Sequence, residues 1–376
     1  MEVSVIILNY NVKYHLDACI QTVQKALENI KGEIIVADNH STDGSKDYFN
    51  NKYPEVKFLW FNENYGFAKA YNKAVKHAKG KYLFILNPDT LVAENSIQLL
   101  LDFAKTKENL GIIGGKMIDG TGNFLPESKR SVPTPWVAFG KLTGLYKILK
   151  FAPFNQYYAP YLQENETGKT EILTGAFMFL KKSVYEETGG FDERYFMYGE
   201  DIDFSYSVLQ SGKENFYYPQ AKIIHFKGES ALNNPKYAQN FIQTTFQFYE
   251  KHFRPHKFLK SISRLLISLW FKLYKNPKKK DKTTIAPTNY LFFGKPAHSD
   301  FIRQKTGFDV HVWEKNKIPQ KNSIVIFDTS VMSISEIISY MEKYKQQAKY
   351  RFYFPASKLL LGSDAKDMAG VAVNLS

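Results

Sequence analysis

The chain opens with short apolar runs that break off at polar clusters, and this pattern restricts its fold more than any other feature. VSVIIL runs into Asn9, Tyr10 and Asn11; EIIVAD ends at Asp38 and Asn39; KYLFILN ends at Asn87, with Pro88 and Asp89 following. Between the runs lie stretches of helical periodicity, from about His15 to Asn29, a short one through Tyr48, and from about Gly66 to Ala78. With VKFLWF as a fourth run, this alternation predicts βαβ units and a mostly parallel sheet covered on both faces. In such sheets ligands sit beyond the carboxyl ends of the strands. The polar clusters therefore mark one edge as the candidate site.

Residues from about 95 to 232 lack this regular alternation. They contain GIIGGKMI, the loop-rich PESKRSVPTPWVAFGK, the strand-like EILTGAFMFL and the segment GGFDERYFMYGEDIDFSYSVLQSGK. Long aromatic and proline-containing loops suit an acceptor surface. A third pattern, YLFFG, NSIVIFDTS, a helix near Ser333 to Gln347, YRFYFP and LLLGSDAK, predicts a small α/β unit over 283–376. The expected division is thus 1–232, with a regularly alternating half at 1–95 and a loop-rich half at 96–232, then a helical basic region at 233–282, then the C-terminal unit of no assigned role.

The formal net charge of +13 is unevenly spread. Residues 251–282 hold eleven Lys or Arg against Asp281 alone, a net +10 that leaves +3 for the rest. This block surrounds an apolar stripe and no stacking platform or recognition motif, so a nucleic-acid partner is not expected. The N-terminus MEVSVIILNYN has no basic leader, and no run of about 18 apolar residues offers a membrane span, so the expectation is a cytoplasmic chain. The single Cys19 falls in the first helical pattern and reads as a small core residue.

Three carboxylate and imidazole positions carry candidate chemistry. Asp89, in NPDT at the end of a strand, suits a hard divalent cation such as Mg²⁺ or Mn²⁺. Glu200, Asp201 and Asp203 fall within GEDIDF at the start of a helical pattern, where one carboxylate could take a proton from a hydroxyl. His225 follows the strand AKII. Taken singly, each has a structural alternative as a cap, a macrodipole partner or a strand-end residue.

In order, SVIILNYN, VADNHSTDGS, NENYGFAKAYNKAVKHAKGKYLFILNPDT, LTGAFMFLKK, GGFDERYFMYGEDIDFSY and HFKGES span about 225 residues. The chain resembles family-2 glycosyltransferases of the GT-A fold, in the rhamnosyltransferase-type branch whose metal motif reads NPD in place of DxD. The resemblance implies inverting transfer of a sugar from a nucleotide diphosphate to a glycan or lipid-linked acceptor, by direct displacement, in cell-envelope polysaccharide synthesis. By resemblance, Tyr10 with neighbouring Asn11, and Asp38, contact the nucleoside; Asp43 supports the adjacent turn; Asn64, Gly66 and Asn72 lie near the nucleotide. Gly66 is expected to let backbone approach where a side chain would collide. Asp89 and His225 hold the metal or diphosphate, Asp201 is the base with Glu200 as the alternative, and Gly175 and Ala176 lie beneath the donor sugar. Arg130, with Asp203, is placed on the acceptor side. Asn87 stands where a DxD protein has its first carboxylate, so one acidic metal ligand is missing.

In the basic region, Phe258, Ile262, Leu265, Leu266, Leu269 and Leu273 recur at helical spacing, while Lys257, Lys260, Arg264, Lys272 and Lys275 face largely the other way. Such a helix, with Trp270 at the headgroup level, predicts peripheral contact with an anionic membrane surface through 257–282. Packing on protein, or a homo-oligomer built on the same stripe, is the alternative. Two rival functions remain: a nucleotidyltransferase, which would carry a glycine-rich basic loop where LNYNVKYH stands, and a non-catalytic nucleotide-sugar-binding scaffold, which would be free to lose Asp89 or the Glu200–Asp201 pair.

Overall fold

The structure is a computed structural model that describes residues 1–134, 137, 148, 155–226, 236–253, 289–314, 318–319, 321–345, 347–364 and 370–376. The basic helix expected over 257–282 lies outside the described residues. The N-terminal alternation is realised as β1 (Val3–Asn9), α1 (Lys13–Ala26), β2 (Gly32–Asp38), α2 (Ser45–Tyr48), β3 (Lys57–Trp60), α3 (Gly66–Val75) and β4 (Tyr82–Leu86). Then follow β5 (Thr90–Val92), α4 (Ser96–Lys105), β6 (Leu110–Ile118), β7 (Gly168–Lys169), β8 (Phe177–Lys181), α5 (Lys182–Glu187), α6 (Glu200–Gln210) and β9 (Glu214–His225).

These strands form one sheet in the order β3-β2-β1-β4-β8-β6-β9-β5, with β7 paired to β9. The first four are mutually parallel. β8 runs antiparallel between β4 and β6, and β5 antiparallel to β9. A parallel half thus continues into a mixed half, an α/β architecture in keeping with the parallel sheet that the alternation predicts and with the GT-A fold that the family resemblance implies. Helices cover both faces: Leu16, Cys19, Ile20 and Val23 of α1, at spacings of three and four, enter one core. Ala68, Tyr71 and Ala74 of α3 enter the other.

The chain divides into two compact units, Met1–Asn233 with Pro287–Ser376, and Asn234–Ala286. The second unit is represented by α7 (Lys236–His252), on which Phe248 stacks against His252 at 4.9 Å. Residues 290–374 build β10 (Tyr290–Phe293), α8 (Pro296–Thr306), β11 (Val310–Val312), β12 (Ser323–Asp328), α9 (Ile334–Lys343), β13 (Ala348–Phe354), β14 (Leu359–Gly362) and β15 (Val371–Asn374). Their sheet runs β11-β10-β12-β13-β14-β15, parallel through β13 and antiparallel beyond. α9 begins with a reciprocal capping box between Ser333 and Glu336. This C-terminal region has a sheet of its own, yet it belongs to the same compact unit as 1–233. The reason is a buried cluster that joins Leu91, Ile224 and Phe226 of the first sheet to Phe327, Tyr350 and Phe352 of the second.

Among the described residues no helix is long and apolar enough to cross a membrane.

Candidate active site

At the carboxyl end of β1 and β2, Asn9 donates through Nδ2 to Asp38 Oδ2 at 2.7 Å and to the hydroxyls of Ser45 at 3.1 Å and Ser41 at 3.2 Å. The other Asp38 oxygen accepts the Ser41 amide three residues on at 2.8 Å, a side-chain bond that holds the turn leading out of the sheet. Asn11 locks the opposite loop: its amide donates to Ser41 Oγ at 2.9 Å and its Oδ1 accepts from the Thr42 amide at 2.7 Å. Asp43 accepts the Lys13 and Ser45 amides, both at 3.0 Å, which fixes the entry to α1 and to α2. Tyr10, between these networks, keeps an exposed ring. Asn11 and His40 adopt left-handed backbone at φ 57° and 66°. Such conformations in residues other than glycine concentrate at functional sites.

Asp89 and His225 are brought together by the pairing of β5 with β9, in which Thr90 lies opposite His225 and the Phe226 amide donates to the Asp89 carbonyl. His225 Nε2 stands 3.3 Å from Asp89 Oδ1, with both side chains buried. Burial alone would raise the Asp89 carboxyl, but the charge and hydrogen bond of His225, aided by His15, outweigh it and hold it below its ordinary value. Asn87 Nδ2 lies 3.4 Å from the same His225 nitrogen. Among the described residues His225 Nδ1 has no hydrogen-bond partner. Two ligands about 2.1 Å from one cation and at right angles stand about 3 Å apart, so the spacing of this oxygen and nitrogen fits a shared divalent ion. No group of three or more His, Cys, Asp or Glu suited to a metal occurs among the described residues, in keeping with Asn87 at the first position of NPD. Any further ligands would have to come from the diphosphate or from water.

The third cluster lies at the start of α6, reached through left-handed Tyr198 and Gly199 at φ 71° and 84°. Asp201 Oδ2 accepts from Arg130 Nη2 at 2.6 Å and from the Gly175 amide at 3.3 Å, and Arg130 also donates to the Leu173 carbonyl at 2.9 Å. Burial disfavours the guanidinium charge, but Asp201 and Tyr157 more than compensate and raise its pKa. Glu200 is buried beside this pair. Burial, reinforced by the Asp201 charge, pushes its carboxyl up to about 8, and Oε2 has no hydrogen-bond partner among the described residues. A single turn of helix thus places an ion-paired carboxylate next to a carboxyl that remains protonated near neutrality.

The other expected site residues support these clusters. Asn64 Oδ1 accepts from the Gly66 amide at 2.9 Å and from Asn39 Nδ2 at 2.8 Å. Gly66 has φ +73°, and a Cβ there would lie 2.3 Å from the carbonyl oxygen of Phe196, whose Cδ2 is also within 2.7 Å. The close approach expected at Gly66 is thus made by the chain's own Phe196 loop. Asn72 is occupied as well: Oδ1 accepts from the Tyr185 hydroxyl at 2.6 Å and the Phe191 amide at 3.1 Å, while Nδ2 donates to the Phe191 carbonyl at 2.8 Å. It joins α3 to the loop that leads to α6. A Cβ on Gly175 would meet Phe67 at 2.8 Å and the Asp201 Cβ at 3.5 Å, so this glycine seats the carboxylate. The Ala176 carbonyl accepts the Asn87 amide. Asp203 is buried with the Tyr195 hydroxyl 3.4 Å from Oδ1, a helix-packing position.

Residues 4–189 match the family model for glycosyl transferase family 2. The chain is 28% identical over 246 residues to an N-acetylglucosaminyl-diphospho-decaprenol L-rhamnosyltransferase of Mycobacterium tuberculosis, covering 61% of this chain and 78% of that relative. This chain is a family-2 glycosyltransferase. A hexosyltransferase of low-salt glycan biosynthesis from Haloferax volcanii is 23% identical, with 66% of this chain and 72% of the relative covered. Among solved structures, a mannosyltransferase of Pyrobaculum calidifontis in complex with GDP-mannose and Mn²⁺ aligns at TM-score 0.47 and 19% identity, over 68% of this chain and 65% of that one.

In this glycosyltransferase the sequence reading missed Arg130 as the direct partner of Asp201, since 71 residues separate them. It also missed Phe196, which a glycine at position 66 hinted at without identifying. Next to Arg130 in the chain, a cavity of about 650 Å³ opens between Ser131, Thr134, Tyr161, Thr170, Leu209 and Lys213.

Proposed function

We propose that this glycosyltransferase inverts the anomeric centre of a nucleotide-diphosphate sugar and transfers the sugar to a hydroxyl of a glycan or lipid-linked acceptor in cell-envelope polysaccharide synthesis. The observation that carries this reading is the Asp89–His225 pair, two buried donors 3.3 Å apart at the carboxyl end of the sheet. The rhamnosyltransferase relative, named for a diphospho-decaprenol acceptor, supports the acceptor class.

Tyr10 and Asp38 hold the nucleoside, and the Asn9–Ser41–Ser45 network keeps the Asp38 carboxylate in one orientation. Asp89 and His225 hold Mg²⁺ or Mn²⁺ against the diphosphate. When bound, the cation neutralises charge that builds on the leaving group. Asp201, aimed by Arg130 and the Gly175 amide, takes the proton of the acceptor hydroxyl as its oxygen closes on the anomeric carbon and the bond to the diphosphate breaks. Glu200, its carboxyl pushed up to about 8 chiefly by burial, holds its proton at neutral pH and so is not the base. The basic stretch 257–282 supports peripheral attachment to an anionic membrane at the cytoplasmic face.

A panel of nucleotide sugars, assayed with the full chain, Mg²⁺ or Mn²⁺, and with chelator, tests the reading. One donor is expected to be turned over only with metal, and full turnover in chelator, or in an Asp89→Asn variant, would rule out the metal role. Loss of sedimentation with anionic vesicles on deleting 257–282 tests the membrane contact; unchanged sedimentation would end it.

A further inference from the structure

We propose that the C-terminal sheet is a positioning element of the transfer site: it braces the outer face of the β5–β9 pair, with Phe352 at the centre of the contact, and thereby holds Asp89 and His225 in register, a role that rests on the diphosphate reading of those two residues.

β5 is three residues long, lies at the end of the strand order and pairs within the sheet only with β9. A short edge strand of this kind is the weakest part of a sheet, yet Asp89 immediately precedes it. Its two faces meet different cores. Val92 and its cross-strand partner Ile223 enter the core beneath the first sheet, whereas Leu91 and its partner Ile224 point the other way, into the cluster shared with Phe327, Tyr350 and Phe352. Phe226, one residue beyond His225, packs edge-on against Phe352 at 5.5 Å and against His15 at 5.4 Å. Leu91, Ile224 and Phe226 are all essentially inaccessible to water.

Polar ties reinforce the brace at both strands. Two residues past β5, the Glu94 carboxylate accepts the Ile334 and Ser335 amides at 2.7 and 3.0 Å and so caps α9 from the first sheet. On β9, Lys222 pairs with Glu342 of α9 at 2.6 Å, and buried Lys116 of β6 reaches the same carboxylate at 2.5 Å. The edge that holds Asp89 and His225 is therefore fixed from a region more than 60 residues further along the chain, whose own residues contribute none of the proposed catalytic groups.

The test is amide hydrogen exchange on the full chain, comparing wild type, Phe352→Ala and Phe352→Leu, together with Mn²⁺ binding followed by water-proton relaxation. In Phe352→Ala, exchange at residues 90–92 and 223–226 is expected to quicken roughly tenfold while β1 and β2 keep their protection, and Mn²⁺ binding to weaken about fivefold; Phe352→Leu restores both. Unchanged exchange at β5 and β9, or equal quickening in β1 and β2, would overturn the proposal. If Phe352→Ala does not fold, Glu342→Gln, which loosens only the α9 tie, is read the same way with a smaller expected change of about threefold. A wild type that binds no Mn²⁺ removes the metal reading, and the exchange comparison still decides whether the sheet braces the strand pair.

Discussion

The two sheets end their strands in similar residues and treat them in opposite ways. In the C-terminal sheet Asp328 closes β12 at the point where the strand order turns from β10 to β12, a place where doubly wound folds commonly bind ligands. There the carboxylate is consumed internally: Oδ2 takes His298 Nδ1 at 2.7 Å and the Lys295 amide at 3.2 Å, and Oδ1 takes the Ser330 amide at 3.0 Å and hydroxyl at 2.7 Å. A Cβ on Gly294 would lie 2.3 Å from the Asp328 Cβ, so the crevice is already filled. Among the described residues the C-terminal region leaves only Ser323 Oγ and Tyr340 Oη buried without partners, away from Asp328. The strand ends of the first sheet instead leave Asn9 Oδ1 and His225 Nδ1 buried without partners among the described residues, and Glu200 Oε2 at the start of α6 is left likewise. Buried polar atoms are ordinarily satisfied, and each exception at this edge incurs a cost that a ligand would relieve. Similar strand-end chemistry is therefore satisfied internally in one sheet and, on the proposed reading, serves substrate in the other.

The largest expected effect that would break this contrast is at Asp201. Asp201→Asn should slow sugar transfer roughly 10²- to 10⁴-fold, while the nucleotide sugar binds nearly as in wild type, measured by steady-state rates and calorimetric titration. Wild-type turnover in that variant would move the base elsewhere. Next comes Asp328→Asn, which puts an amide where a carboxylate accepts four hydrogen bonds. It should cost about 2 kcal/mol of stability in denaturant unfolding, with the transfer rate per folded molecule unchanged. A fall in rate without a fall in stability would give the second sheet a site of its own.

The effect that depends on pH, small in acid, concerns Glu200. Its carboxyl is held near 8 in the folded chain and titrates close to 4.3 when unfolded, so the native state keeps a proton that the unfolded chain releases between those values. Stability from this group is therefore lost as pH rises from about 4.3 towards 8, and the cost is complete above that. Replacing it by a neutral isostere removes the penalty. Glu200→Gln should lie within about 1 kcal/mol of wild type at pH 5 and exceed it by several kcal/mol, on the order of 3–5, at pH 9 in thermal unfolding. Equal stability gains at both values would mean that Glu200 is not the protonated member of the pair.

Much of the fold was legible because it is written in local periodicity. The helix expected to start near Gly66 starts there, α6 begins at Glu200 as the acidic first turn suggested, and the alternation up to β4 needed only runs of apolar residues broken by polar ends. What could not be read was any relation between distant positions. A glycine at 66 announces a close approach without naming Phe196, and an arginine in a proline-rich loop does not name Asp201 as its partner. The family resemblance places Asn72 near the nucleotide, and only the fold shows that Tyr185 and Phe191 occupy both ends of its amide.

The sequence by itself determined the carriers of the chemistry, since residue type limits what an atom can accept, donate or ligate. It fixed Asp89, His225, Glu200 and Asp201 as candidates, and marked the C-terminal region as a sheet of its own. Tertiary structure alone decided which candidates stand apart chemically. Two carboxylates adjacent in the chain diverge because one pairs with Arg130 while the other is buried beside the Asp201 charge. The same physics assigns the C-terminal sheet its place: strand pairing and hydrophobic contact depend on distance in space, and only the folded chain brings Phe352 against Phe226, one residue from His225.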